Sequence, residues 1–273
     1  MSINTTKQIG DRAFQKNVNG VKRAVLVGIN YVGTANELQG CINDVNNVRN
    51  ILISRYNYLP ENIVLLTDET EKKPTRENIL RTLFDLLLSN ATDLYFHYSG
   101  HGSQVYDQSG DEDDKYDETI VPLDYETNGM IVDDELRGLM QCLDGNKSLT
   151  IVLDCCHSGT GVDLAFNLYT KSGKYTMFET TSNGKPLNRT RGRVICISGC
   201  KDNQTSADSV ENNQNQGALT YSFVEALNFF GNGLFTYNDI FKRMSTTLKT
   251  KGYTQMPCLS SGRPLSLNER FKL

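Results

Sequence analysis

The sequence predicts an α/β fold built on a mainly parallel sheet with helices on both faces. Three observations lead there. Strand-like apolar runs alternate with helix-period segments in β-α-β-α-β order over residues 22–99. The first run, 22–30 (KRAVLVGIN), is almost continuously apolar, as strands buried on both faces are. Two later runs, 94–102 (LYFHYSGHG) and 151–161 (IVLDCCHSGTG), stop at glycine-containing turns that carry histidine and cysteine. Such side chains stand at the carboxyl ends of strands, where open α/β sheets bind ligands.

The elements follow in order. Residues 1–20 read as a flexible lead-in to the first strand. In 41–56, Ile42, Val45, Val48, Leu52 and Arg55 recur at helical spacing, and 62–67 (NIVLLT) is a second strand. Pro74-Thr75 starts a helix through Leu88, with Ile79, Leu80, Leu83, Leu86 and Leu87 as its apolar face. The third strand is 92–99. An acidic loop, 107–118 (DQSGDEDDKYDE), precedes a short strand at 119–123. The helix at 133–143 opens with two acids, favourable at the positive end of the helix dipole. The strand at 150–153 leads into the cysteine pair. Residues 167–192 read as a polar, basic loop, 193–198 (RVICIS) as a strand and 202–217 as a low-complexity loop. Helices at 218–230 and 237–249 and a strand near 255–260 complete the fold. With neither a repeat nor a clean linker, the reading is a single domain over 21–273. It divides into a large segment at about 21–166, the basic loop at about 167–192 and a small segment at about 193–273.

Composition narrows the function. The chain has 273 residues, 38% hydrophobic and 22% charged, which is ordinary for a globular protein. A net charge of −4 without a basic stripe gives no reason to expect nucleic acid. No signal-peptide pattern or membrane-length apolar run is present, so the expectation is an intracellular, cytoplasmic protein without a membrane partner. Seven cysteines, an odd number with no CxxC pair, argue for reduced thiols.

All three histidines, His97, His101 and His157, fall in the two glycine-ended stretches. A thiol attacks as the thiolate, and a neighbouring imidazole generates it. Cys156 reads as the nucleophile and His101 as its base, with the Gly102 and Cys156 N–H groups as an oxyanion hole. Blander readings exist: a buried structural thiol at Cys156, a solvated charge run in the acidic loop, or a zinc site at His97 and His101 with the cysteines. The zinc reading is disfavoured because i, i+4 spacing gathers ligands on a helix, whereas this segment reads as strand and loop.

The blocks HYSGHGSQ (97–104) and DCCHSG (154–159), in this order, resemble the metacaspase signature. So do GCIND (40–44), YDETIVPLDY (116–125), IVDDEL (131–136) and SGCKDNQTSAD (198–208), which together span most of 21–262. The resemblance is to type I metacaspases, here with no long N-terminal prodomain expected before the first strand. It implies a caspase-like three-layer α/β sandwich, a Ca²⁺-dependent cysteine endopeptidase cutting after Arg or Lys, and a monomer. His101 and Cys156 match the dyad. Cys41, Asp44, Ser99 and Asp154 match the pocket for the residue before the scissile bond. Two carboxylates there would select a cation, and a guanidinium can pair bidentately with one of them. Asp117, Asp133, Asp134 and Asp163 match the calcium ligands. Loop 107–118 lacks the central glycine and spacing of an EF-hand, and the chain lacks the QACxG pentapeptide of Asp-cutting caspases. Lys171, Lys174, Lys185, Arg189, Arg191 and Arg193 offer self-cleavage sites of matching specificity. The rival reading is a non-catalytic, calcium-responsive binding or scaffold protein on the same fold.

Overall fold

A computed structural model describes residues 22–107, 115–155, 162–171, 174–182, 185–186, 189–199, 208–211 and 214–273. The chain opens with β1 (Lys22–Gly28), α1 (Cys41–Tyr56), β2 (Ile63–Thr67), α2 (Arg76–Leu88) and β3 (Asp93–Ser99). A small antiparallel sheet follows, made by β4 (Gly102–Tyr106), β5 (Tyr116–Ile120) and β6 (Ile131–Val132), with the one-turn α3 (Tyr125–Asn128) between the last two. Then come α4 (Asp133–Met140), β7 (Ser148–Asp154), β8 (Phe166–Lys171) and β9 (Lys174–Glu179). The chain continues through the short β10 (Thr181–Ser182) and β11 (Lys185–Pro186) to β12 (Arg193–Ser198), β13 (Asp208–Glu211) and β14 (Gln214–Gly217). It closes with α5 (Ala218–Phe230), α6 (Tyr237–Thr250) and β15 (Cys258–Ser261).

The main sheet has the order β2-β1-β3-β7-β12-β15-β8-β9. The first five strands are mutually parallel, and β15, β8 and β9 are each antiparallel to the strand before. Strand alternation sends side chains to two separate cores. On one face Val25, Val27, Phe96, Ile151 and Val194 pack under Ile79, Leu83 and Leu86 of α2 and Leu136 and Met140 of α4. On the other, Ala24, Leu26, Tyr95, Val152 and Ile195 pack under α1, α5 and α6. This is the three-layer sandwich expected from the sequence.

Two capping arrangements fix the helices nearest the sheet. The N-cap of α1 is Gly40, which has no side chain, and Asn30 Oδ1 instead accepts from Cys41 N–H at 3.0 Å. At the other end of α2, the buried Lys147 Nζ donates to the carbonyls of Leu87 and Ser89 at 2.7 and 2.6 Å. A cation there satisfies orphan carbonyls and complements the helix dipole.

The polar stretch expected to be a loop is largely β-structure. β8 and β9 pair antiparallel, from Phe166 opposite Glu179 to Lys171 opposite Lys174, and extend the sheet beyond β15. Their alternation was the overlooked sign: Leu168, Tyr175 and Met177 pack against the α1/α5/α6 core, while Tyr169 and Phe178 face outward. The low-complexity stretch likewise carries the β13–β14 ladder.

The close approach of β1 to α1 depends on Gly28. A Cβ there would lie 2.5 Å from the Cys41 carbonyl oxygen and 2.8 Å from Val45 Cγ2. Gly28→Ala is expected to cost about 1–3 kcal/mol of stability, the range for an overpacked core. A urea midpoint equal to that of the wild type would show that α1 can back away freely.

Candidate active site and acidic cluster

The parallel register brings three strand ends to one level: Gly28 pairs with Ser99, and Ser99 with Asp154. The chain beyond each strand therefore leaves the sheet on the same edge. Gly100 N–H donates to Asp154 O at 3.3 Å, which continues the β3–β7 alignment one step past the strands. Cys156 lies outside the described residues. Its neighbour Cys155 is described and is buried.

His101 follows β3 and is partly exposed. Its Nε2 lies 2.7 Å from the Asn36 carbonyl oxygen. A carbonyl only accepts, so the proton of the neutral ring sits on Nε2 and Nδ1 is the basic nitrogen. The Tyr31 ring lies against the imidazole, with centroids 4.7 Å apart. Gly102 pairs with Ile120 in the β4–β5 ladder, next to the bond from Val121 N–H to His101 O at 3.1 Å. Antiparallel pairs alternate, so the Gly102 N–H turns away from β5.

Cys41, Asp44, Ser99 and Asp154 are all buried at this edge. Asp44, in the first turn of α1, accepts from Ser99 Oγ at 2.6 Å and from Gly217 N–H at 3.0–3.1 Å. Asp154 accepts from Thr220 N–H in the first turn of α5 at 2.7 Å, where the helix dipole favours a carboxylate. The two acids meet at Gly217, where a Cβ would stand 2.2 Å from Asp154 Oδ2 and 2.8 Å from Asp44 Oδ2. Behind them, His97 is wholly buried, its Nε2 3.2 Å from Thr220 Oγ1 and its Nδ1 3.2 Å from Tyr95 Oη. Burial pushes its pKa down to about 3, so the ring stays neutral.

A second concentration of acid lies where β5, α4 and the turn before β8 meet. Carboxylate oxygens of Glu118, Asp133 and Asp163 lie within 4.8 Å of one another, all three residues buried. Among the described residues no other group of His, Cys, Asp or Glu is arranged to hold a metal. Of the expected ligands, Asp133 and Asp163 come together, with Asp163 at a left-handed φ of 42°. Asp134 turns to an ion pair with Arg137, which also lies 3.9 Å from Asp163. Asp117 is buried on β5 beside Glu118 but outside this grouping. Burial first, then the Asp163 charge and the hydrogen bond and charge of Glu118, raise the Asp133 carboxyl far above the usual carboxylate range. The residues fit a calcium ion: hard oxygen donors from three segments, holding like charges that a dication would neutralise.

The candidate cleavage residues occupy different settings. Lys171 and Lys174 pair at the end of the β8–β9 ladder and Lys185 lies in β11. Arg189 is exposed, paired with Glu179 at 2.9 Å, and Arg191 is exposed as well. Arg193 begins β12 between β7 and β15, paired with Glu269 at 2.8 Å, so the bond after it is reached only if the ladder opens.

Four residues of the site escaped the sequence reading. Glu118 had a signal, since strand alternation puts 117 and 118 on opposite faces of β5. Gly217, Asn36 and Thr220 had none, because each comes from a loop or helix start distant in sequence.

Two outcomes follow. Gly217→Ala is expected to drive Asp44 and Asp154 from their places and raise KM for an Arg peptide roughly tenfold, a loss typical of a disturbed charge-assisted contact. An unchanged KM would mean that the acids do not meet the substrate. For Asp133, a folded pKa above the unfolded one adds stability fully present below about pH 4 and lost as pH rises. Measured without metal, the Tm of the wild type relative to Asp133→Asn should therefore fall between about pH 4 and 8. Asp133→Asn should also lose the rise in Tm that calcium produces in the wild type. A parallel pH course in the two proteins, with the calcium response kept, would remove Asp133 from the cation site.

Comparison with known proteins agrees in sequence and in fold. Residues 22–165 match the family model described as metacaspase, peptidase C14 domain. The metacaspase-1 of Eremothecium gossypii is 39% identical, over 93% of this chain and 67% of that protein. The metacaspase-1 of Schizosaccharomyces pombe is 38% identical, over 91% of this chain and 69% of that protein. Among solved structures, protein GSU0716 from Geobacter sulfurreducens superposes with a TM-score of 0.63 at 23% identity, covering 91% of this chain and 97% of that one. Caspase-1 from Spodoptera frugiperda gives a TM-score of 0.55 at 11% identity, over 90% and 91% of the two chains. These two share the fold. With its two strand-end motifs, its buried acid pair and its acidic cluster, the chain belongs to the metacaspases, calcium-dependent cysteine endopeptidases that cut protein and peptide chains after arginine or lysine.

Proposed function

We propose that His101 and Cys156 carry out the cleavage and that Asp44 and Asp154, with Cys41 and Ser99, receive the basic side chain before the scissile bond. The observation that supports this reading is the common level of Gly28, Ser99 and Asp154, with the carboxylates of Asp44 and Asp154 buried at those strand ends and His101 two residues beyond Ser99. Nδ1 of His101 takes the thiol proton of Cys156, and the thiolate sulfur attacks the scissile carbonyl carbon. The resulting oxyanion is held by the N–H groups of Gly102 and Cys156, a contribution of about 3–4 kcal/mol per donor. The imidazolium returns its proton to the departing amine, leaving a thioester. Water, deprotonated by the same imidazole, then hydrolyses the thioester and frees the thiol.

Glu118, Asp133 and Asp163, with Asp117 and Asp134 beside them, would hold calcium. The bound ion supplies charge neutralisation there. The same residues join β5, the start of α4 and the turn before β8, and so hold the backbone that leads to His101. Arg189 and Arg191 are the self-cleavage candidates with exposed side chains outside any strand, each followed by a buried residue; Lys171, Lys174, Lys185 and Arg193 sit in strands. The enzyme is read as one peptidase unit over 21–273, a monomer of the reducing cytoplasm. No disulfide links the described cysteines, and no described helix is long and apolar enough to cross a membrane.

The test is hydrolysis of fluorogenic peptides ending in Arg, Lys or Asp, with millimolar calcium or with chelator. Cleavage of the Arg and Lys peptides alone is expected, lost with chelator and in both Cys156→Ala and His101→Ala. Activity surviving either substitution would displace the dyad. Inactivity of the wild type on all peptides, with a calcium-induced rise in Tm intact, would favour the scaffold reading.

A further inference from the structure

The main chain of His101 is bonded in an unusual way. In the β4–β5 ladder His101 faces Val121, and Val121 N–H donates to His101 O at 3.1 Å. The reciprocal bond, from His101 N–H to Val121 O, is replaced by an inserted hydroxyl. Tyr31 Oη accepts from His101 N–H at 3.0 Å and donates to Val121 O at 2.6 Å. Tyr98 Oη stands beside it, accepting from Val121 N–H at 3.1 Å and placed to donate to His101 O at 2.7 Å or to Val121 O at 3.0 Å. The two phenol oxygens lie 3.1 Å apart, and both residues are buried.

Several local features make sense only around this pair. Gly100 precedes His101, and a Cβ there would lie 2.6 Å from Tyr98 Oη and 3.1 Å from Tyr31 Oη. Tyr31 itself has φ 51°, a left-handed conformation that a bulky residue holds only where its surroundings impose it. Its ring lies against the imidazole as well, so one side chain meets both the ring and the backbone of His101. Burial raises the pKa of both phenols, so the bridging protons stay in place across the working range.

Resting on the assignment of His101 as base, we propose that Tyr31 and Tyr98 are positioning residues that clamp the His101 backbone to the end of β5 and hold its imidazole in line with the nucleophile. β5 also carries Glu118 of the acidic cluster, three residues before Val121. The clamp therefore joins the base to the strand on which the cation acts.

The test compares Tyr31→Phe, Tyr98→Phe and His101→Ala with the wild type at saturating calcium, reading kcat and KM on an Arg peptide and the calcium-induced rise in Tm. Each phenylalanine keeps the ring and removes only the bridging oxygen. The expected result is a kcat about tenfold lower with KM within about twofold, since small misplacements of a catalytic group cost ten- to a hundredfold. The calcium-induced rise in Tm should persist. Wild-type kcat in Tyr31→Phe and Tyr98→Phe, beside an inactive His101→Ala, would overturn the clamp alone. Loss of the calcium response in both variants would also overturn it, by making the tyrosines scaffold. An active His101→Ala would overturn the base assignment and the clamp with it.

Discussion

The parallel alignment of β1, β3 and β7 is the constraint on which the site rests. Hydrogen bonding in register ends the three strands together at Gly28, Ser99 and Asp154, and the described candidate residues gather along that line. Ser99 and Asp154 belong to the strands themselves. Asp44 reaches the same place from α1, because Gly28 lets the helix start sit close to the sheet and Asn30 caps it. Gly217, from the far end of the sequence, then slots between the acids and donates to one of them. Moving any of the three strands by one residue would turn its terminal side chain to the opposite face.

The protein handles its two groups of buried acid in opposite ways. At the strand ends each carboxylate is matched with donors: a serine hydroxyl and backbone N–H groups, one of them from a helix start. The cluster at Glu118, Asp133 and Asp163 instead leaves acids facing one another, and Asp133 yields by holding its proton. The first arrangement satisfies its carboxylates with hydrogen bonds. The second sets carboxyl groups against one another, an arrangement that a dication would relieve.

Much of this was legible in the sequence, and the limits have physical causes. Continuous apolar runs announced the buried parallel strands, and apolar residues at helical spacing announced α1 and α2. The β8–β9 pair was missed because it covers only one side of the sheet edge, so its alternation is diluted by lysine, serine and threonine. Asp44, Asp154 and His101 are candidates that motifs alone suggest, because the residues that define those motifs are local in sequence. Gly217 and Thr220 are not, since their importance comes from what stands opposite them in space. Tyr31 lies in a loop whose sequence gives no hint that its hydroxyl enters a ladder. That Glu118, and not its neighbour Asp117, groups with Asp133 and Asp163 depends on the facing of β5, which the sequence does not give.

The position of the β8–β9 pair bears on what a broken chain would be. The segment holding Arg189 and Arg191 joins two halves of one sheet. β12, after it, is paired with β7, before it, from Arg193 opposite Ser148 to Ser198 opposite Leu153. β15, near the end of the chain, is paired with β8. A nick at either arginine severs no ladder and uncovers neither core. The β12–β7 and β15–β8 ladders would still join the two pieces, so the sheet is held across that segment by strand pairing as well as by the chain.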